Sequence, residues 1–142
     1  MGKKGLGRSI APKALDKFKE RVREITLGSR GRSMPQTIEE LSRYVQGWIA
    51  YFGFSQTPWV LRDLDSWIRR RIRCAFWRQW KTSRKRCAAL VKRGVNPATA
   101  KNMAGRHQGP WHLSLSKAMS VALSNAELAS LGLPSLAVLA KA

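Results

Sequence analysis

The stretch "DSWIRRRIRCAFWRQWKTSRKR", Asp65–Arg86, carries nine Lys/Arg and three Trp. Successive residues of a helix turn by about 100°. On that wheel a helix from Thr57-Pro58 to about Lys81 gathers Leu61, Leu64, Ile68, Ile72, Ala75 and Phe76 into one apolar sector. Arg62, Arg69, Arg70, Arg73 and Lys81 fill the opposite side, and Arg71 and Arg78 flank the apolar sector. Trp77 projects from the middle of the cationic face, between Arg70 and Arg73, and Trp67 lies towards its edge. A helix patterned this way needs apolar partners on one side and a polyanion or water on the other.

The partners are helical too. Pro12 suits the first turn of a helix whose apolar positions Leu15, Phe18, Val22 and Ile25 share one face. Its outer pairs, Asp16/Lys19 and Lys17/Glu20 among them, read as a solvated surface. The "GSRGRS" segment breaks that helix. Ser33 and Gln36 then have capping-box spacing around Pro35, and Ile38, Leu41, Val45, Trp48 and Phe52 follow on one face until Gly53. Trp48 and Phe52 continue that stripe and are core residues. Shorter helices are expected from about Ser83 to Lys92, ended by Gly94, and from Asn96-Pro97 to about Ala104. "GRHQGPWHLS" reads as a loop or turn, and Ser116 and the Ser124/Glu127 capping box open further helices. No alternating strand pattern and no internal repeat occurs. The expectation is an all-α, small multi-helix bundle of six or seven helices without a sheet. Residues 1–9 form a basic tail, 10–82 a first helical domain, and 83–142 a C-terminal helical extension packed on it.

At 142 residues and 44% hydrophobic, the chain can bury a core of ordinary size. Its net charge of +19, from 27 Lys+Arg against 8 Asp+Glu, exceeds what solubility needs and predicts a polyanionic partner. From Ser66 to Ala126 there are fourteen Lys/Arg and no carboxylate. Such a run forgoes the local compensation that helices normally carry, because like charges one turn apart repel. Nucleic acid is the first partner to consider, and an anionic membrane surface the rival. The apolar sector of the Arg-rich helix, however, has internal partners in the first two helices, so lipid is not needed to cover it. Two cysteines, Cys74 and Cys87, form no disulfide framework. The N-terminus lacks the apolar core of a signal peptide, and no run reaches membrane-spanning length. A cytoplasmic, nucleoid- or ribonucleoprotein-associated protein is expected.

Catalytic constellations are missing. Asp63 and Asp65 stand two residues apart on a helix and diverge by about 200°, so they cannot share a metal. They read as acids complementing the positive end of their own helix. Cys74, Cys87, His107 and His112 have a zinc-like composition without a Cys-x₂₋₄-Cys knuckle. Neither phosphate-binding glycine motif is present. No catalytic residue, metal or cofactor is expected.

Binding is what the residue pattern supports. Cations that neutralise phosphates release counterions and give salt-sensitive affinity, while aromatic or Arg side chains stack on unpaired bases. Trp77 within the Arg face suits stacking as well as it suits packing against a neighbouring helix. Trp111, in a Gly-Pro loop beside Arg106 and His107, is open to the same two readings.

"GRSMPQTIEELSRYVQGWIAYFG" followed by "LRDLDSWIRRRIRCAFWRQWK" resembles the maturase-specific region of bacterial group II intron reverse transcriptases. Gly47-Trp48, Tyr51-Phe52, Leu64-Asp65 and the Arg-rich helix ending in Trp77 and Trp80 carry the resemblance, which extends from "IAPKALDKFKERVREIT" to "LSNAELASLGLPSL". It implies a helical thumb and maturase (X) region that holds structured intron RNA in its splicing-competent fold and grips a template–primer duplex. It also implies a reverse-transcriptase palm upstream, outside this chain. A fragment, a split product and a free-standing maturase domain are all compatible with it, and in each case the chain binds RNA and is not itself an enzyme. The resemblance assigns RNA contact to Arg69, Arg70, Arg73, Trp77, Lys81, Arg84, Lys85 and Arg86. Arg30 and Arg32 form a second contact, and Lys92, Arg93 and Arg106 extend the track. A DNA-binding architectural protein and a non-catalytic ribonucleoprotein docking module are the alternatives.

Overall fold

A computed structural model describes residues 12–27, 33–52 and 58–140. They form nine helices: α1 Pro12–Leu27, α2 Met34–Phe52, α3 Pro58–Gln79, α4 Ser83–Lys92, α5 Pro97–Ala104, α6 Pro110–Leu113, α7 Lys117–Ala122, α8 Asn125–Ser130 and α9 Leu136–Leu139. No strand occurs among the described residues, so the fold is all-α. The count exceeds the expected six or seven because of two four-residue helical turns. One of them, α6, takes up the Pro-Trp-His-Leu segment read as loop; Pro110 at its start lacks an N–H that a first helical turn leaves unbonded anyway. The basic tail and the loop carrying Arg30 and Arg32, like Gly53 and Thr57, lie outside the described residues.

The chain divides into two compact units, one of residues 1–68 with 132–142 and the other of residues 69–131, so that α3 contributes residues to both. In the first unit, α1 packs on α2 and α2 on α9. Its core is the apolar face anticipated from periodicity: Phe18, Val22, Ile25, Ile38, Leu41, Val45, Trp48, Leu61, Leu64 and Ile68 are all buried. Phe18 stacks against Tyr44 at 5.7 Å and lies 4.3 Å from Trp48 between ring centroids. The capping box at the start of α2 is formed: the Gln36 N–H donates to Ser33 Oγ at 3.3 Å, and the Ser33 N–H to Gln36 Oε1 at 3.1 Å.

Asp65 departs from its expected role. It lies two turns inside α3, is only 5% exposed, and serves α9 rather than its own helix. Its carboxylate accepts from the Leu136 N–H at 2.7 Å, the Ala137 N–H at 3.2 Å and the Ser135 hydroxyl at 2.7 Å. Helix starts leave N–H groups without internal partners and carry partial positive charge, and the buried carboxylate meets both needs.

In the second unit, α4 packs on α5, and both pack on α7. Its core includes Ile72, Ala75, Phe76, Trp77, Leu90, Met103, Leu113, Met119, Leu123 and Leu128. The four helices that follow α3 here through α7 are short, and each opens on a residue that the sequence marks. Thr82, Asn96 and Ser116 each accept a backbone N–H from the first turn of α4, α5 and α7, while Pro110 starts α6. Ser124 does the same for α8. At the end of α4, Gly94 at φ +97° donates to Val91 O, and Val95 N–H reaches back to Leu90 O. This is a Schellman closure, whose left-handed residue favours glycine.

Candidate nucleic-acid interface

Residues 69–131 carry fourteen Lys/Arg and a single acid, Glu127. What these cations touch separates them into two groups.

Several arginines face inward and bond to carbonyl oxygens at helix C-termini. Arg70 donates from Nη2 to Trp111 O in α6 at 2.7 Å and from Nε to Ser114 Oγ at 3.1 Å. Arg73 donates from Nε to Leu123 O, the C-cap of α7, at 2.8 Å, and from Nη2 to Asn125 Oδ1 at 2.9 Å. Arg86 donates from Nε to Trp77 O in the last turn of α3 at 3.0 Å. The last four carbonyls of every helix lack internal partners, and the negative end of the helix dipole favours a cation there. Short helices multiply such ends. Burial lowers the pKa of the Arg73 guanidinium, with the nearby positive charge of Arg69 acting in the same direction, and burial lowers that of Arg86. Both still carry their charge at neutral pH, since guanidinium starts far above it.

The end of α3 shows why Arg86 is needed. Lys81 follows the helix at φ +56°, a left-handed conformation that costs a non-glycine residue about 1–2 kcal/mol. Its N–H bonds to Arg78 O, but the Thr82 N–H turns to Trp80 O instead of reaching Trp77 O. The Arg86 side chain fills that vacancy in the capping pattern, with its guanidinium 4.7 Å from the Trp77 ring centroid.

These contacts show how four of the expected site residues are placed. Arg70, Arg73 and Arg86 are half-buried clamps on the protein's own backbone, not an open phosphate-binding face. Trp77 is 1% exposed, so no base can stack on it. The wheel placed it among cations correctly, but that side of α3 is covered rather than solvated. Arg93 is also half-buried, with its guanidinium 5.3 Å from Trp80 and 5.9 Å from Phe76. Arg69 is half-buried.

Lys81, Arg84, Lys85, Lys92 and Arg106 are exposed. The first four follow one another from the end of α3 along α4. Trp111 is exposed, at 37%, and the Arg70 guanidinium lies 3.7 Å from its ring centroid. In the first unit, Trp67 is flanked instead by Lys19 and Arg23 at 5.6 and 5.4 Å.

Among the described residues no three His, Cys, Asp or Glu side chains gather as a metal site. Cys74 is buried, and burial pushes its thiol pKa up despite the opposing pull of Arg78, Arg71 and Arg70. No described helix is long and apolar enough to cross a membrane. The exposed Lys and Arg of residues 69–131 make a cationic surface on mostly short helices.

The signal that separates clamping from exposed arginines was present in part. Five serine, threonine or asparagine caps downstream of residue 81 mark five short helices, hence many carbonyl ends needing donors. Which arginine meets which end is not written in the spacing.

Among known families, a model described as group II intron, maturase-specific domain, matches residues 15–94. No curated protein matches the chain.

Proposed function

The chain belongs to the group II intron maturase-specific domain family, and on that premise we propose that it is an RNA-binding module that assists intron splicing. The module holds folded intron RNA by neutralising closely spaced phosphates, and in a full-length protein the same surface grips a template–primer duplex. It acts by binding and carries no bond chemistry of its own. Lys81, Arg84, Lys85 and Lys92 provide the main contact surface, with Arg106 beyond them. Arg69 is half-buried on α3, and Arg70, Arg73 and Arg86 contribute by keeping the short helices in place.

The observation that carries this reading is the charge of residues 69–131, fourteen cations against one acid, with Lys81, Arg84, Lys85 and Lys92 exposed just before and along α4. The test is filter binding of a structured group II intron RNA across a salt series. Arg84→Glu with Lys85→Glu is expected to weaken binding and to make the slope of log K against log salt shallower by about 0.9 for each lost duplex phosphate contact. Unchanged affinity and slope overturn this surface. Equal affinity for duplex DNA in competition points to an architectural DNA-binding protein instead. Absence of saturable RNA binding at physiological salt points to a docking module.

A further inference from the structure

Four hollows in the second unit share their walls. The first is lined by Lys92, Gly94 and Val121 among others. The next has Gly94 and Val121 again and adds Thr99 and Lys117. A third keeps Thr99 and Lys117 and adds Asn102 and Arg106. The last keeps Asn102 and Arg106 and ends at His107. The shared residues make these one trough that follows α5 and α7, which pack against each other. Most of it lies beyond residue 94, outside the segment that matches the family.

We propose that this trough holds a single RNA strand, with its phosphates on Lys92, Lys117 and Arg106 and its sugars and bases against Thr99 and Asn102. The proposal rests on the RNA-binding reading above and continues that surface from Lys92 and Arg106 to Lys117, with a defined strandedness. Three observations support it. Lys92, Lys117 and Arg106 are all exposed. Glu127, at the Lys92 end, is the one acid in the lining, and the other three hollows have none. The width follows from the packing: axes of packed helices lie about 8–10 Å apart, so the furrow between them admits one extended strand. An A-form RNA duplex, whose strands are wound around paired bases, would lay its outer phosphates across such a furrow rather than enter it.

The lining holds no Phe, Tyr or Trp, and His107 at the far end is its one ring, so stacking is confined to that end. Contacts to phosphate position a strand without reading its sequence. The trough therefore tracks a backbone and tolerates any sequence.

Fluorescence anisotropy with a labelled 12-nucleotide oligo(U), alongside a structured intron RNA, tests the assignment. Three single-strand phosphate contacts give a salt slope of about −2.1, a roughly 20-fold loss of affinity between 50 and 200 mM salt. In the variant Arg106→Gln with Lys117→Gln one contact survives, and the loss falls to about 3-fold. Arg106→Lys with Lys117→Arg is expected to retain oligo(U) binding. Val121→Glu places a negative charge on an exposed wall, 48% accessible in the native protein, and is expected to lower oligo(U) affinity with no change in melting temperature. Structured-RNA binding with no saturable oligo(U) binding overturns the trough alone. So does unaltered oligo(U) binding by the Gln variant, and an oligo(dU) probe bound more tightly than oligo(U) overturns the assignment to RNA. Failure of the native chain to bind either RNA overturns the RNA-binding reading itself.

Discussion

Replacing Arg73 by Ala removes a charged donor from two acceptors, Leu123 O at 2.8 Å and Asn125 Oδ1 at 2.9 Å. Hydrogen bonds to charged groups contribute about 1.5–3 kcal/mol each, and a buried acceptor left without a donor costs about 1–3 kcal/mol. The side chain is half-buried, so solvent recovers part of this and the expected loss is about 2–4 kcal/mol. For a chain of 142 residues, each kcal/mol shifts the melting temperature by roughly 3 °C. A decrease of about 6–12 °C in a thermal melt followed by circular dichroism is therefore expected. Arg73→Lys keeps the charge but loses the fork that spans both acceptors, and recovers at most half of the loss. Arg84→Ala serves as the contrast: exposed, and without a side-chain hydrogen bond or ion pair among the described residues, it is expected to stay within about 0.5 kcal/mol of the native stability. An Arg73→Ala protein that melts normally yet binds RNA more weakly refutes the clamp and returns Arg73 to the phosphate-binding face.

Three further outcomes are expected. Asp65→Ala strips the α9 N-terminus of a carboxylate that accepts three hydrogen bonds; a loss of about 3 kcal/mol in urea unfolding is expected from charge-assisted bonds, and a loss under 0.5 kcal/mol counts against that cap. Trp77→Ala empties a site that is 1% exposed, with an expected cost of about 3–5 kcal/mol; a variant of native stability and reduced RNA affinity returns the ring to the interface. Cys74 has a raised thiol pKa because of burial, so the unfolded chain gives up this proton first: the stabilising contribution is complete below the ordinary thiol pKa and declines as pH rises through the folded value. The decline is absent in Cys74→Ala, and in the native protein at neutral pH a maleimide should label the half-exposed Cys87 well before Cys74, an order that equal labelling rates contradict.

Local signals in the chain were strong enough to define most helices. Ser33 and Gln36 three residues apart specify a capping box, and Ser116, Ser124 and Asn96-Pro97 specify helix starts through bonds between neighbours in sequence. The stripe Ile38, Leu41, Val45, Trp48 gives a buried face at the helical period. Contacts that join distant residues were not legible in that way. Asp65 meets Ser135 and Leu136 some seventy residues later, and nothing local to Asp65 distinguishes this from an acid at its own helix start.

The Arg-rich helix separates the two kinds of information most clearly. Sequence alone determined that a helix starts at Pro58 and runs to about Lys81, that Ile68, Ile72, Ala75 and Phe76 share its apolar sector, and that the fourteen cations between Ser66 and Ala126 have no acid among them. Periodicity and charge are properties of the chain itself. Only the tertiary structure decided that Arg70 and Arg73 are spent on the ends of α6 and α7 and that Trp77 lies in the core, while Lys81, Arg84, Lys85 and Lys92 are among the cations left exposed. A helical wheel fixes the direction in which a side chain leaves the axis, but what waits there, water or an unpaired carbonyl, depends on where the rest of the chain folds back.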